Sequence, residues 1–391
     1  MDIKVIEVLT MENADFLKEE TLRYWLKRIQ ARDDMIAVLC AAARRIAADE
    51  GLRSLFLAEQ QKHGPQNLWQ QSWDDLPMDE AVTAVMEEPS QFYYLSYLAA
   101  LPWTLERYRQ MGIPEVVFDD TIRQLPFLFL EKHDDTGRWE YAGFGWIWRH
   151  LAAQLYRLGR MQFMAIPYAR GERVFRNRGD GTLAVLCNPA MALRADGWAD
   201  GAGGRHEEHP WHGVCERTTE GWRGNPVSRE GRVLGELIEL PDTLWEPALF
   251  PGDTVLDMHI PKDGDFTPDT CRESVAMAEA FFARHFPEIT FKGLFCHTWM
   301  FTAQLDQFLK PGSHILAFRD EFHRLPVAGS VNYLWKFVFG EAYTRENAPR
   351  DTSLRRAVLE HLDASGEVFD LAGVALQGSK GWKSSISAVV L

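Results

Sequence analysis

Asp257 and His259 stand two residues apart in the run Val255-Leu-Asp-Met-His-Ile260. If that run is a strand, both side chains leave the same face, because strand side chains alternate with a period of two. A carboxylate beside an imidazole orients the ring. That suits a general base that takes a proton from an amine or activates water. A buried histidine satisfied by a neighbouring acid gives the same pattern. Cys296 and His297 are adjacent in a second run, residues 292–299, so they point to opposite faces and cannot pair with each other. Either can pair with His259 if the two strands are neighbours. Cys296 as a nucleophile would carry the transferred group covalently; as a small buried hydrophobe it needs no chemistry. His297 and Trp299 share a face and can line a substrate pocket or pack in the core. His206, His209, His212 and Cys215 recur every three residues and are zinc-type ligands. Pro210 and Gly213 break any helix there, and the paired arms of a structural zinc site are missing, so no metal is expected.

These residues need a frame, and the chain is long enough for more than one domain. It has 391 residues, of which 46% are hydrophobic and 12% aromatic. That supplies core material in ordinary globular proportion. The formal net charge of −14 argues against a nucleic-acid or anionic-membrane partner, since phosphate neutralisation needs clustered Lys and Arg. A local basic strip remains at Arg170, Arg173, Arg176 and Arg178, read as a solvated turn or an anion contact. No apolar run approaches the ~18 residues of a membrane helix. The opening residues carry acids where a signal peptide carries an apolar core. Five scattered cysteines fit reduced thiols better than a disulfide framework. A cytoplasmic location is expected.

Apolar residues at helical spacing fill the first 160 or so positions. The pattern predicts helices near 17–26 and 33–44, a long one over 91–111, another from Pro114 to about 132, and one over 141–158. Gly112-Ile-Pro114 marks a helix stop. From Gly159 the period changes. Strands are predicted at 161–168, 182–187, 234–240 and 255–260, with a long Gly-rich loop over 195–221. Thr267-Pro268 is a cap followed by Pro, the start of a helix running to about 285. A strand at 292–299, a helix at 302–309, a strand at 314–318, helices at 331–339 and 353–362, and a last strand at 368–376 follow. Strand, helix, strand in this order implies at least one parallel crossover.

The segments Tyr156-Arg-Leu-Gly-Arg-Met-Gln-Phe163, Val255-Leu-Asp-Met-His-Ile-Pro261, Thr267-Pro-Asp-Thr-Cys-Arg-Glu-Ser274 and Phe295-Cys-His-Thr-Trp299, with Gln304-Leu305, resemble a bacterial N-acyltransferase family. Its members have a helical N-terminal acyltransferase domain and a GNAT-like C-terminal domain, and the resemblance spans nearly the whole chain. It implies an α+β protein with a helical domain over 1–145 and a GNAT-like domain over 146–391. It further implies a strand that splays from its neighbour, so that the pantetheine arm of an acyl-CoA lies along the exposed edge near Ile260. The following loop and helix start, at Gly264, Thr267 and Asp269, would receive the pyrophosphate. This loop carries Lys262, Asp263, Gly264 and Asp265 where a typical member offers Gln or Arg and two glycines. A Tyr on the helix after 292–299, the usual general acid of that superfamily, is absent from 301–309. The implied activity moves an acyl group from acyl-CoA, or a related thioester, to a small amine, with His259 and Asp257 as base and His297 and Trp299 on the acceptor side. The alternative is a non-catalytic binding protein that keeps the fold with a degenerate donor site.

Overall fold

The computed structural model describes residues 13–62, 80–140, 143–328, 333–340, 343–364, 366–369 and 371–376. The chain divides into two compact units, Met1–Leu158 and Gly159–Leu391.

The described N-terminal unit is helical: α1 (Glu19–Arg28), α2 (Asp33–Ala48), α3 (Glu50–Lys62), α4 (Glu80–Val85), α5 (Pro89–Leu98), α6 (Leu101–Gln110), α7 (Glu115–Ile122), α8 (Leu125–Thr136) and α9 (Phe144–Leu151), ending in the short strand β1 (Tyr156–Leu158). Helix α5, which carries no charged residue, is buried on every side from Ser90 to Leu98. It is in contact with α2, α3 and α9. Its rings interlock with theirs: Tyr97 stacks on Phe144 at 5.2 Å, and Phe92 meets Phe56 edge-on at 5.8 Å. The helix expected over 91–111 is two helices. Pro102 sits in the first turn of α6, where its missing N–H costs nothing; inside a continuous helix its ring would strike the carbonyl of Leu98. Pro126 separates α7 from α8 in the same way.

The C-terminal unit is mixed. Its strands are β2 (Met161–Pro167), β3 (Arg173–Asn177), β4 (Leu183–Leu186), β5 (Ala192–Leu193), β6 (Trp211–His212), β7 (Cys215–Arg217), β8 (Gly221–Gly224), β9 (Ile238–Pro241), β10 (Trp245–Leu249) and β11 (Thr254–His259). Then come α10 (Pro268–His285), β12 (Gly293–Thr298), α11 (Leu305–Phe308), α12 (His314–Arg319), β13 (His323–Leu325), α13 (Tyr333–Val338), α14 (Ser353–Asp363) and β14 (Leu371–Leu376). Five strands of the main sheet run in the order β2-β11-β12-β14-β13. Strands β11 and β12 are parallel and joined through α10, the crossover that the sequence pattern implies. Strands β10, β3 and β4 form a second sheet, and β7, β8 and β9 a third.

One face of the main sheet buries Val255, Leu325, Ala372 and Val374 against Val174, Leu183 and Val185 of the second sheet. Ser274 of α10 accepts a hydrogen bond from the Met161 amide at 3.0 Å, tying the crossover helix to the start of β2.

The structure corrects several expected elements. Residues 314–318 are helix α12, not a strand; Leu316 and Phe318 are buried, and Phe318 packs on Phe266, Phe301 and Phe322. The strand after α10 ends at Thr298, whose hydroxyl accepts from the Met300 amide and opens a 3-10 turn, Trp299–Phe301. Trp299 therefore leaves the strand and packs beside Leu305, Phe308 and Leu334. The basic strip lies on and around β3. Arg173 sits over Trp222 and Phe250, Arg178 pairs with Glu246, and Arg170 holds buried Glu172 through Nε and Nη2. The 195–221 segment contains β6 and β7 in place of a plain loop.

Candidate active site in the C-terminal unit

The pairing of the two central strands stops before either strand ends. β11 and β12 pair at Leu256↔Leu294 and Asp257↔Phe295, yet β11 continues to His259 and β12 to Thr298. Beyond Asp257, β11 stays paired only on its other side, through His259↔Gln162. β12 likewise stays paired to β14 as far as Thr298↔Leu371. The registered pairing of these parallel strands thus ends at Asp257↔Phe295, short of both strand ends.

Main-chain direction follows from the flanking bonds. The Thr254 carbonyl accepts from Lys292 N at 2.8 Å, and the Asp253 carbonyl accepts from Tyr168 N at 2.7 Å. Strand residues alternate in the side to which their N–H and C=O point. Thr254, Leu256 and Met258 therefore face β12; the pair Asp257↔Phe295 places the Met258 N–H against the Phe295 carbonyl, and the Met258 C=O is the first group past that last rung. Ile260 follows Met258 with the same parity.

Register also sorts the side chains. Asp257 lies beside Phe295, so Val255, Asp257, His259, Phe295 and His297 share one face. His259 Nε2 is 3.0 Å from Asp257 Oδ2, with both side chains largely covered. His297 is exposed, and its ring meets Tyr333 edge-on at 4.8 Å. Partial desolvation by the surrounding chain, reinforced by the positive charge of Arg170 and opposed by Asp257, holds the His297 pKa below its usual 6.5 although the residue keeps an exposed surface. Its imidazole is neutral at neutral pH.

Cys296 is on the opposite face, buried, with Gly373 across from it. A Cβ at residue 373 would lie 2.7 Å from Phe301, which shows how closely that ring covers the sheet there. Burial, with the Asp257 charge added, pushes the Cys296 thiol well above its ordinary pKa. The sheet thus brings His259, Asp257 and His297 together and leaves Cys296 and Trp299 apart. Tyr333 joins them from α13, a helix distant in sequence; no motif near residue 297 points to it.

The helix start after β11 is closed by its own side chains. Thr270 N–H donates to Thr267 Oγ1 at 3.2 Å, and Thr267 N–H donates to Thr270 Oγ1 at 3.1 Å. This reciprocal cap satisfies two of the terminal amides, and Pro268 has no N–H to offer. Asp269 carries the amide that remains in the first turn. Gly264, at φ 87°, turns the chain in the loop before it, a conformation that glycine adopts without steric cost. Arg160 donates to the Pro261 carbonyl at 2.7 Å and covers Phe266, pinning the loop base.

Among the described residues no group of three or more His, Cys, Asp or Glu is placed to hold a metal. His206 pairs with Asp200 at 2.9 Å, His209 is exposed, and Cys215 accepts from Arg173 at 3.5 Å.

Residues 155–375 match the family model described as the GNAT-like C-terminal domain. The chain belongs to that family. Ahead of the GNAT-like domain, residues 20–153 match the N-acyltransferase N-terminal domain. No curated protein matches the chain. Among solved structures, an acyltransferase in complex with decanoyl-CoA is 19% identical, with 96% of this chain and 99% of that one covered and a TM-score of 0.61. An acyltransferase in complex with decanoyl-CoA and teicoplanin is 21% identical, covering 91% and 87%, at 0.60. An acyltransferase mutant in complex with octanoyl-CoA is 21% identical, covering 91% and 88%, at 0.59. At these identities the likeness is one of fold. No helix among the described residues is long and apolar enough to cross a membrane.

Proposed function

We propose that this protein transfers an acyl group from an acyl-CoA, or a related thioester, to an amine. The observation that carries the proposal is that registered pairing between β11 and β12 ends at Asp257↔Phe295, ahead of the strand ends. Beyond it the Met258 C=O lies past the last rung of the ladder and can accept a hydrogen bond from an amide-bearing pantetheine arm, as it would from an added strand. Acyl-CoA ligands in solved acyltransferases of this fold support the donor class. In the reaction the amine nitrogen attacks the thioester carbon; the C–N bond forms, the C–S bond breaks and CoA leaves as its thiolate. His259, oriented by Asp257, takes the amine proton. His297 lines the acceptor side. Ile260 extends the donor edge, and Gly264 and the Asp269 amide are the part of the helix entry open to the donor's phosphates. Thr267 serves as the cap.

A non-catalytic binding protein is the second reading, favoured by that self-capped helix start and by the acidic loop. Titration of the purified chain with acetyl-, octanoyl- and decanoyl-CoA separates the two. A ligand that binds only the folded state raises Tm by mass action. A rise of several degrees with at least one donor, followed by amine-dependent release of free CoA thiol, is expected. No shift with any donor at millimolar concentration would leave the second reading in place.

A further inference from the structure

The loop between β11 and α10 is held at both ends. At its start the Pro261 carbonyl accepts from Arg160 Nη2. At its end the Phe266 carbonyl is 3.0 Å from His314 Nδ1. A carbonyl can only accept, so Nδ1 carries the hydrogen and donates. His314 opens α12, and Phe318 follows four residues later on the same helix face. The Phe318 ring meets the Phe266 ring at 5.1 Å. One face of α12 thus grips a single loop residue twice, by its carbonyl and by its ring. Helix α12 is itself anchored: buried Arg319 donates through both Nη atoms to Asp306 of α11, at 2.6 and 2.9 Å. Phe266 directly precedes the Thr267 cap, so where it is held decides how the chain enters α10.

We propose that His314 is a positioning residue for the donor: through Phe266 it fixes the loop that presents Gly264 and the Asp269 amide to the donor's phosphates. The argument is one of preorganisation. A loop that must be ordered as the ligand arrives subtracts that ordering from the affinity, and a loop already held does not. The hold matters more here because the reciprocal cap of Thr267 and Thr270 leaves few amides at the helix entry, and those few must stand in place beforehand. His314 is exposed, so its ring is not core packing. The identity of the donor rests on the acyl-transfer reading; the hold on the loop does not.

The full chain tests it with two donors, octanoyl-CoA and octanoyl-pantetheine, which lacks the phosphates, each followed by calorimetric titration and by steady-state transfer. His314→Ala should weaken octanoyl-CoA binding and raise its KM about twofold to tenfold, the net worth of one hydrogen bond, with kcat little changed. Octanoyl-pantetheine should bind both proteins alike, a difference that general loosening of the fold would not produce. His314→Asn, whose side-chain amide sets an N–H near the place of Nδ1, should recover octanoyl-CoA binding. Unaltered octanoyl-CoA binding in His314→Ala, equal weakening with the two donors, or no recovery in His314→Asn overturns the inference and leaves the transferase reading standing. Weakening confined to the phosphate-bearing donor, in a chain that transfers no acyl group, sustains the inference and defeats the transferase reading alone. A native chain that binds no acyl-CoA defeats both.

Discussion

At the scale of single residues, two nucleophilic candidates on neighbouring strands are sorted by face alone. Asp257 and His259 were readable from their spacing, since a period of two decides the matter once the run is a strand. The fate of Cys296 depended on which face β12 turns toward β11, and only the register Asp257↔Phe295 decides that. The thiol is buried opposite Gly373, on the face that Phe301 covers at that residue, and is held protonated, so it is a poor nucleophile. We expect Cys296→Ala to keep transfer activity within about twofold, with no burst of free CoA in the first turnover. His259→Asn should lower kcat by about a hundredfold to ten-thousandfold, the usual worth of a general base, while the Tm rise with acyl-CoA persists. A Cys296→Ala chain that folds and binds donor but transfers nothing would reverse the two roles. Tyr333 was not legible at all: it reaches His297 through tertiary packing.

At the scale of elements, the entry to α10 shows what local chemistry does and does not reveal. Thr267-Pro268 announced a helix start, and the helix runs from Pro268 to His285 as capping rules require. Thr270, at the third helical position, closes a reciprocal cap that makes the same amides unavailable to phosphate. Its hydroxyl takes the place that Glu or Gln occupies in the common form of this motif. Thr267→Ala should therefore cost about 1 kcal/mol in urea unfolding with donor affinity little changed. A sharp loss of acyl-CoA binding with unaltered stability would instead make the hydroxyl a donor ligand. The misread segment 314–318 teaches the converse. His314-Ile-Leu-Ala-Phe-Arg319 is too short for its period to distinguish helix from strand, and the rings of Phe266, Phe301 and Phe322 around Phe318 accompany the helix in the folded chain. Strands β3 and β10 were hidden for a related reason: they pair with each other across the intervening β4–β9 segment, and β3 carries the arginines that made it read as a turn.

At the scale of the molecule, the change of period near Gly159 marks where the chain divides, and the strands beyond it must also protect their sheet edge. β13 ends the main sheet, and an uncovered edge strand is a template for unwanted pairing. The 227–232 segment meets this edge: Arg324 N donates to the Arg229 carbonyl at 3.2 Å, and His323 Nε2 donates to the Val227 carbonyl at 3.0 Å. Burial, with Arg229 and Arg324 nearby and Glu230 opposing, lowers the His323 pKa from 6.5 to about 4. Above pH 6.5 the ring is neutral in both the folded and unfolded chain, and the full stability is present. As pH falls through 6.5 the unfolded chain binds a proton that the folded chain refuses until about pH 4, so stability declines across that window. The linked loss is about 3 kcal/mol. His323→Gln, which keeps an N–H donor and cannot titrate, should start less stable at pH 7 yet lose about that much less between pH 6.5 and 4 in urea unfolding. Parallel pH profiles for the two proteins would show that His323 becomes protonated without leaving its bond to Val227, and that the edge is sealed by the Arg324 amide and the surrounding packing.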